Sequence, residues 1–259
     1  MPRANRYFLP GHVWHITHRC HQKDFLLKFS KDRQRWRHWL FEAKKRFDLC
    51  VLNYIITSNH IHLLVRDRGQ GEIAKSMQLI AGRTAQEYNQ RKGRRGAFWE
   101  DRYHATAVDS DKYLALCMVY IDLTMVRAGV VSHPGEWPYS GYCEIQSPPQ
   151  RYAVIDRKAL TELLGANDFE QCCQIHNGWV EDELKSAQLQ RGTVWSQNLA
   201  VGHKDYVENI KTALGITVHY RSVVEDNGAY ALKEPVVPYT ADLACEKSVL
   251  SAENTVLLE

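Results

Sequence analysis

The sequence lacks the features of membrane-spanning, secreted and zinc-ribbon proteins. Its longest apolar runs fall far short of the roughly 18 residues that a membrane span requires, and its first residues, Met-Pro-Arg-Ala-Asn-Arg, do not form a signal peptide. The 7 cysteines are odd in number and include no C-x-x-C pair, which argues against a zinc ribbon and a disulfide scaffold. We therefore expect a cytoplasmic protein with reduced thiols and no membrane partner.

Charge is distributed unevenly along the 259 residues. Residues 1–106 contain 21 Lys/Arg and 9 Asp/Glu, a net charge of +12, whereas the remainder contains 12 and 21, a net charge of −9. A basic half of this size attracts polyanions, of which nucleic acid is the usual one. The alternative is that the acidic half neutralises the basic half across an internal interface.

Two histidines, His60 and His62, flank Ile61 in an apolar stretch that reads as a β-strand. Alternate residues of a strand project to the same face, with Cα atoms roughly 6.7 Å apart. Two neutral imidazoles so placed can share one divalent cation. The alternative is a structural strand with two polar residues on its open face.

The hydrophobic pattern predicts alternating strands and helices, with an α/β (α+β) fold. The predicted elements are a strand at 11–20, an amphipathic helix from Ser30, strands at 50–57 and 61–66, a helix from Glu72 and a strand at 97–108. Two helices covering one face of an antiparallel sheet in this order form the ferredoxin-like arrangement.

A third helix is predicted from Lys112 to about Ala128, where Gly129 would end it. One of its stripes carries Tyr113, Cys117, Tyr120, Thr124 and Arg127, spaced three or four residues apart. A tyrosine, a hydroxyl and a guanidinium on one face suit the handling of a phosphate. For an arbitrary helix, a half-buried tyrosine and an ordinary surface arginine would be the alternative.

Five segments, taken together, resemble the single-tyrosine HUH (IS200-like) transposases, and among these the REP-associated tyrosine transposases of bacteria. The resemblance covers residues 1–145. The segments are Pro10-Gly-His-Val-Trp-His-Ile-Thr, Asn59-His-Ile-His-Leu-Leu-Val, Phe98-Trp-Glu-Asp-Arg-Tyr-His, Tyr120-Ile-Asp-Leu-Thr-Met-Val-Arg-Ala and Trp137-Pro-Tyr-Ser-Gly-Tyr.

The resemblance implies a mechanism and a site. Enzymes of this family cut single-stranded DNA, usually beside a hairpin, through a tyrosine that becomes linked to the 5′ phosphate and releases a 3′ hydroxyl. A second 3′ hydroxyl can then rejoin the strand. On this resemblance Tyr120 is the nucleophile, and His60 and His62 hold Mg²⁺ or Mn²⁺. The enzyme would act as a monomer or a homodimer.

One position departs from the family pattern. Relatives often have Asn or Gln one turn after the tyrosine to complete the metal site, whereas this chain has Thr124, which becomes the candidate third ligand. A hydroxyl is a poorer ligand for a hard cation than an amide carbonyl. Asp122 is an alternative ligand, although its offset of two residues from Tyr120 disfavours it. A domesticated, catalytically weak protein that binds DNA hairpins therefore remains a second hypothesis.

Further candidates follow from charge and residue type. Tyr113 is a second candidate nucleophile, on the stripe of Tyr120, and the histidines at positions 12, 15, 18 and 21 are interpreted as packed or DNA-proximal side chains. A ferredoxin-like RNA-binding module would explain the basic half but not the histidine pair. The predicted DNA-binding residues are Arg3, Arg6, Arg19, Arg83, Arg91, Lys92, Arg94, Arg95 and Arg127.

Composition changes after Ser147-Pro-Pro, and three segments are predicted. Residues 1–145 form the catalytic domain, and residues 150–225 form a helical C-terminal extension in which 215–220 could be a short strand. Residues 226–259 are expected to be a poorly ordered tail, because they combine prolines with scattered small polar residues.

Overall fold

A computed structural model describes residues 8–186, 194–226 and 228–233. The first six elements, in chain order, are β1 (Val13–Arg19), α1 (Ser30–Phe47), β2 (Cys50–Ile56), β3 (His60–Arg66), α2 (Glu72–Lys92) and β4 (His104–Val108). The four strands are antiparallel and lie in the order β2-β3-β1-β4. This confirms the mixed α/β fold and the ferredoxin-like strand order that the sequence predicts.

The strand register determines which side chains share a face. Thr17 of β1 and Ile55 of β2 both lie opposite His62 of β3, so these three residues project to the same side. His15, two residues before Thr17, projects to that side as well. We call this side of the sheet the histidine face.

The opposite face is covered by α2 and α1, and these two helices pack against each other. Trp99 marks this side, because its ring stacks on His18 at 4.0 Å and its Nε1 donates to the carbonyl of Ala81 in α2 at 3.1 Å. Apolar residues of the strands and of α1, including Ile16 and Trp36, are buried in the main core. The two helices therefore share one face, as predicted.

The third helix lies on the histidine face and is interrupted. It comprises α3 (Lys112–Asp122) and α4 (Thr124–Arg127), separated by Leu123 with φ −81° and ψ 6°. The prediction of one continuous helix to Ala128 is therefore wrong at Leu123, although Arg127 N still donates to the Leu123 carbonyl. Gly129, with φ +66°, adopts the left-handed conformation expected at the helix end.

The strand predicted at 97–108 is shorter in the structure. Only His104–Val108 forms β4, and in residues 97–103 the pairing is an isolated bridge between Trp99 and Cys20. Trp99 instead turns towards α2, so the ladder with β1 begins only at His104.

The C-terminal extension contains strands as well as helices. After α5 (Gly141–Gln146), which precedes the extension, the elements are α6 (Arg157–Leu163), α7 (Phe169–Lys185), α8 (Val194–Gln197), β5 (Ala200–Gly202), α9 (Lys204–Leu214), β6 (Ser222–Asp226) and, beyond residue 225, β7 (Ala229–Lys233). The three strands continue the sheet beyond β4 in the order β5-β7-β6, and β5 pairs with β4 in parallel. The sheet therefore has seven strands across the described residues.

Three local expectations for this region change accordingly. The extension is not purely helical, Gly215–Val218 is a 3-10 helix rather than a strand, and β7 lies inside the segment expected to be a poorly ordered tail. Strands of three to five residues show too little alternation of apolar and polar residues to be recognised from the sequence alone. They form here because β4 offers an unpaired edge. Residues 234–259 of the expected tail lie outside the described residues. No helix in the described part of the chain is long and apolar enough to cross a membrane.

Candidate active site

Tyr120, His60 and His62 meet on the histidine face, where α3 crosses the sheet. The ring centroids of His60 and His62 lie 5.0 Å apart with the ring planes at 86°. The Tyr120 ring lies 5.5 Å from that of His62, at 88°. The chain thus places a half-buried phenol directly beside two imidazoles.

His60 is oriented through its Nδ1 atom. Nδ1 lies 3.0 Å from Thr57 Oγ1 and 2.8 Å from Asn59 Oδ1. The Thr57 hydroxyl donates its own proton to the His60 carbonyl at 2.8 Å, so its oxygen acts as an acceptor towards the ring. Nδ1 therefore carries the proton, and the lone pair of the neutral ring lies on Nε2.

His62 is oriented by a second histidine. Its Nδ1 lies 2.9 Å from His15 Nε2, and His15 Nδ1 lies 2.8 Å from the Trp195 carbonyl. A carbonyl can only accept, so His15 must donate from Nδ1 and accept at Nε2. His62 then donates from Nδ1 and keeps the lone pair on Nε2.

Both of these histidines are neutral near pH 7. Burial lowers the pKa of His15 to about 4. The pKa of His62 lies well below its usual range because of burial first, and then because of the nearby His60 and His15. Neutral imidazole is the form that binds a cation.

Arg127 lies on the other side of Tyr120. Its guanidinium carbon is 4.5 Å from the centroid of the Tyr120 ring, and Nη2 donates to the Tyr120 carbonyl. The Thr124 hydroxyl donates to the same carbonyl at 3.1 Å and accepts from Arg127 Nη2 at 3.3 Å. The candidate third ligand is thus engaged in hydrogen bonds along its own helix.

Asp122 points away from the histidine pair. Its two carboxylate oxygens accept hydrogen bonds from His176 Nε2 at 2.7 Å and from Asn53 Nδ2 at 3.0 Å, in a fully buried position. In the described part of the chain, no group of three or more His, Cys, Asp or Glu residues could hold a metal ion. Asp122 is therefore not positioned to join His60 and His62 in a metal site.

A cavity of about 1360 Å³ opens beside Tyr120 and Arg127. Its walls come from α3 and from the extension, including the aromatic residues Trp179 and Trp195. The ring of Trp195 lies 6.4 Å from that of Tyr120. The extension therefore forms one wall of the space in front of the tyrosine.

The predicted DNA-binding residues occupy three kinds of position. Arg127 lies at Tyr120, and Arg19 lies opposite His60 in the β1–β3 ladder with its guanidinium 3.9 Å from Glu100. Those of α2 and the loop after it contact other side chains: Arg83 with Trp39, Arg91 with Asp32 and Tyr88, Lys92 with Phe29 and Arg94 with Asn89. Arg95 is exposed. Arg3 and Arg6 lie outside the described residues.

Of the alternative candidates, Tyr113 faces a different partner. It is buried, and its ring lies 4.8 Å from that of His203.

Sequence reasoning missed His15 and Trp195 as parts of the site. Strand parity could have placed His15 on the face of His62, but a backbone carbonyl more than a hundred residues away has no sequence signal.

Comparison with known proteins identifies the segment that contains the site. The family described as "Transposase IS200 like" matches residues 10–123. No curated protein matches the chain.

Similar solved structures include the following two. A REP-associated tyrosine transposase bound to a REP hairpin has 19% identity and a TM-score of 0.49, over 57% of this chain and 87% of that one. A putative transposase from Deinococcus radiodurans R1 has 15% identity and a TM-score of 0.34, over 45% and 93%. The segment that is similar to the IS200-like transposase family, residues 10–123, includes both histidines and Tyr120.

Proposed function

We propose that this protein cleaves and rejoins single-stranded DNA beside hairpins, with Tyr120 as the nucleophile. The observation that carries the proposal is the position of the Tyr120 ring, 5.5 Å from His62 and 4.5 Å from the Arg127 guanidinium carbon. A phenol between an arginine guanidinium and two imidazoles suits phosphoryl transfer to tyrosine.

In the cleavage step, the Tyr120 hydroxyl oxygen attacks the scissile phosphorus. The new bond joins Tyr120 Oη to the 5′ phosphate, the bond from phosphorus to the 3′ oxygen breaks, and the proton lost by the phenol balances the one gained by the leaving 3′ hydroxyl. Attack by another 3′ hydroxyl on the phosphotyrosine reverses the step and joins two strands without ATP.

Arg127 and Arg19 supply positive charge on both sides of the reacting groups. Arg127 stabilises negative charge that develops on the phenol oxygen, because its guanidinium lies over the ring. Arg19, which lies opposite His60, is proposed to contact the phosphate of the strand. The basic residues of α2 and the following loop (Arg83, Arg91, Lys92, Arg94 and Arg95), together with Arg3 and Arg6, are proposed to bind the backbone of the hairpin.

His60 and His62 fit a divalent cation such as Mg²⁺ or Mn²⁺. Both rings donate from Nδ1 and therefore present Nε2 as the ligand atom, and both sit on one strand, which fixes their spacing. When bound, the cation would neutralise charge on the non-bridging phosphate oxygens. With two protein ligands, the rest of its coordination would come from water and the phosphate, which is usual for Mg²⁺.

A covalent-adduct assay tests this function. Incubation with Mn²⁺ and a labelled hairpin oligonucleotide with single-stranded flanks is expected to give a protein–DNA band that resists denaturation, and excess EDTA is expected to prevent it. His60→Ala should reduce the band by about 10²-fold, since several kcal/mol of charge stabilisation are lost. His38→Ala, an exposed histidine of α1, is the control. Undiminished adduct in His60→Ala would contradict the metal role.

A catalytically weak hairpin-binding protein is the second candidate function. The observation that favours it is the Thr124 hydroxyl, which is engaged with the Tyr120 carbonyl and Arg127 instead of facing the histidines. Such a protein would bind the same oligonucleotide. It would form no covalent protein–DNA adduct, whichever divalent cation is added.

Substitutions at Thr124 measure its contribution to metal binding. Thr124→Val, which keeps the shape and removes the hydroxyl, is expected to leave Mn²⁺ affinity unchanged, because the hydroxyl is already hydrogen-bonded. Thr124→Asn introduces an amide oxygen, a better ligand for a hard cation, and is expected to tighten Mn²⁺ binding by about 3–10-fold. Titration calorimetry checks both. Weaker binding in Thr124→Val would instead identify the hydroxyl as a ligand.

A further inference from the structure

We infer that His15 is a positioning residue that sets His62 as a metal ligand, and that the C-terminal extension fixes His15 through the Trp195 carbonyl. This inference rests on the proposed metal-assisted function. It concerns a hydrogen-bonded chain of three groups from β3, β1 and α8, which we call the histidine relay: His62, His15 and the carbonyl of Trp195.

The relay has one direction. The Trp195 carbonyl accepts from His15 Nδ1 at 2.8 Å, which leaves His15 Nε2 as an acceptor for His62 Nδ1 at 2.9 Å. The two histidine rings are nearly parallel, at 8°, and His15 is fully buried, so neither water nor rotation offers an easy substitute. The proton of His62 is thereby held on Nδ1, and Nε2 is reserved for the cation.

The carbonyl at the end of the relay is itself anchored. It lies 3.1 Å from Thr106 Oγ1 of β4, and Asn198 Nδ2 donates to the Val194 carbonyl at 2.8 Å. His104 Nε2, also on β4, lies 2.9 Å from the Asn198 carbonyl, and β5 continues in parallel to β4. The segment from α8 to β5 is thus attached to the strand next to β1.

The same segment also contacts the nucleophile, because the Trp195 ring packs 6.4 Å from the Tyr120 ring. One residue of the extension therefore orients a metal ligand with its backbone and borders the tyrosine with its side chain. The matched family segment, residues 10–123, contains both histidines of the relay but not Trp195. The inference is that the segment 10–123 depends on the extension for a fully ordered site.

Two substitutions separate hydrogen bonding from packing. His15→Gln keeps an acceptor for His62 and a donor for the Trp195 carbonyl, whereas His15→Met fills similar volume with neither. His18→Met is the matched control, because His18 is a buried histidine of β1 that bonds a carbonyl, that of Asp101, on the opposite face.

Two measurements are made on the full chain. Mn²⁺ affinity is expected to fall by about 10–100-fold in His15→Met, to stay near the wild-type value in His15→Gln and to be unchanged in His18→Met. Nitrogen-15 NMR of metal-free wild-type protein is expected to show His62 protonated at Nδ1, and His15→Met is expected to move that proton towards Nε2.

The outcomes distinguish the relay from the proposed function. A proton on Nε2 of His62 in metal-free wild-type protein overturns the relay, and this reading does not require His15→Met to fold. Wild-type affinity in a folded His15→Met variant overturns it too. If His62 is protonated at Nδ1 but no adduct forms in the presence of Mn²⁺, the relay stands and the proposed function fails.

Discussion

Replacement of Tyr120 by phenylalanine is expected to abolish the covalent protein–DNA adduct and to leave hairpin binding intact. The substitution removes one oxygen atom, the proposed attacking atom, and keeps the ring that packs against His62, Arg127 and Trp195. Loss of a nucleophile lowers the rate by at least about 10³-fold, because the groups that remain bind DNA without providing an alternative acceptor. Denaturing gels measure the adduct and a mobility-shift titration measures the binding.

Tyr113→Phe is the matched control for this prediction. Tyr113 occupies the same stripe two turns earlier, but it packs against His203 and its hydroxyl lies 3.5 Å from the Gly228 carbonyl. We expect wild-type adduct in this variant. Adduct that persists in Tyr120→Phe and disappears in Tyr113→Phe would move the nucleophile to Tyr113.

Local periodicity explains why part of this site could be predicted from the sequence. Strand parity fixes His60 and His62 on one face without any knowledge of the fold, and helical spacing puts Thr124 and Arg127 on the side of Tyr120. The ferredoxin-like order of the first six elements follows from the same periodicities, because those strands and helices, apart from the five-residue β4, are long enough to show one.

The remaining features depend on contacts that periodicity does not encode. The Trp195 carbonyl reaches His15 only because the short strand β5 pairs with the edge of β4. The turn of Trp99 towards α2 likewise arises from a contact between elements, the hydrogen bond from Trp99 Nε1 to the Ala81 carbonyl. Tertiary contacts of this kind override local preference, which is why the extension differed from its predicted helical form.

Asp122 illustrates how the extension also holds the helix that carries Tyr120. Asp122 lies two residues after Tyr120. Its carboxylate accepts hydrogen bonds from Asn53 of β2 and from His176 of α7, and all three side chains are buried. Gln146 Nε2 lies 3.2 Å from His176 Nδ1, so it can donate to that nitrogen and leave Nε2 as the donor to Asp122. The trio connects the sheet, α3 and α7 at one point beneath the active site.

Removal of the carboxylate in Asp122→Ala is expected to lower the free energy of unfolding by about 3–5 kcal/mol, because two buried donors lose their acceptor. Urea denaturation followed by tryptophan fluorescence measures the loss. Asp182→Ala, which removes an exposed carboxylate of α7 paired with Lys185, is the control and is expected to change stability little. Because Asp122 fixes the turn that carries Tyr120, any folded Asp122→Ala protein should also form less adduct at a given degree of DNA saturation. Equal stability of the two variants would show that the buried trio does not anchor α3.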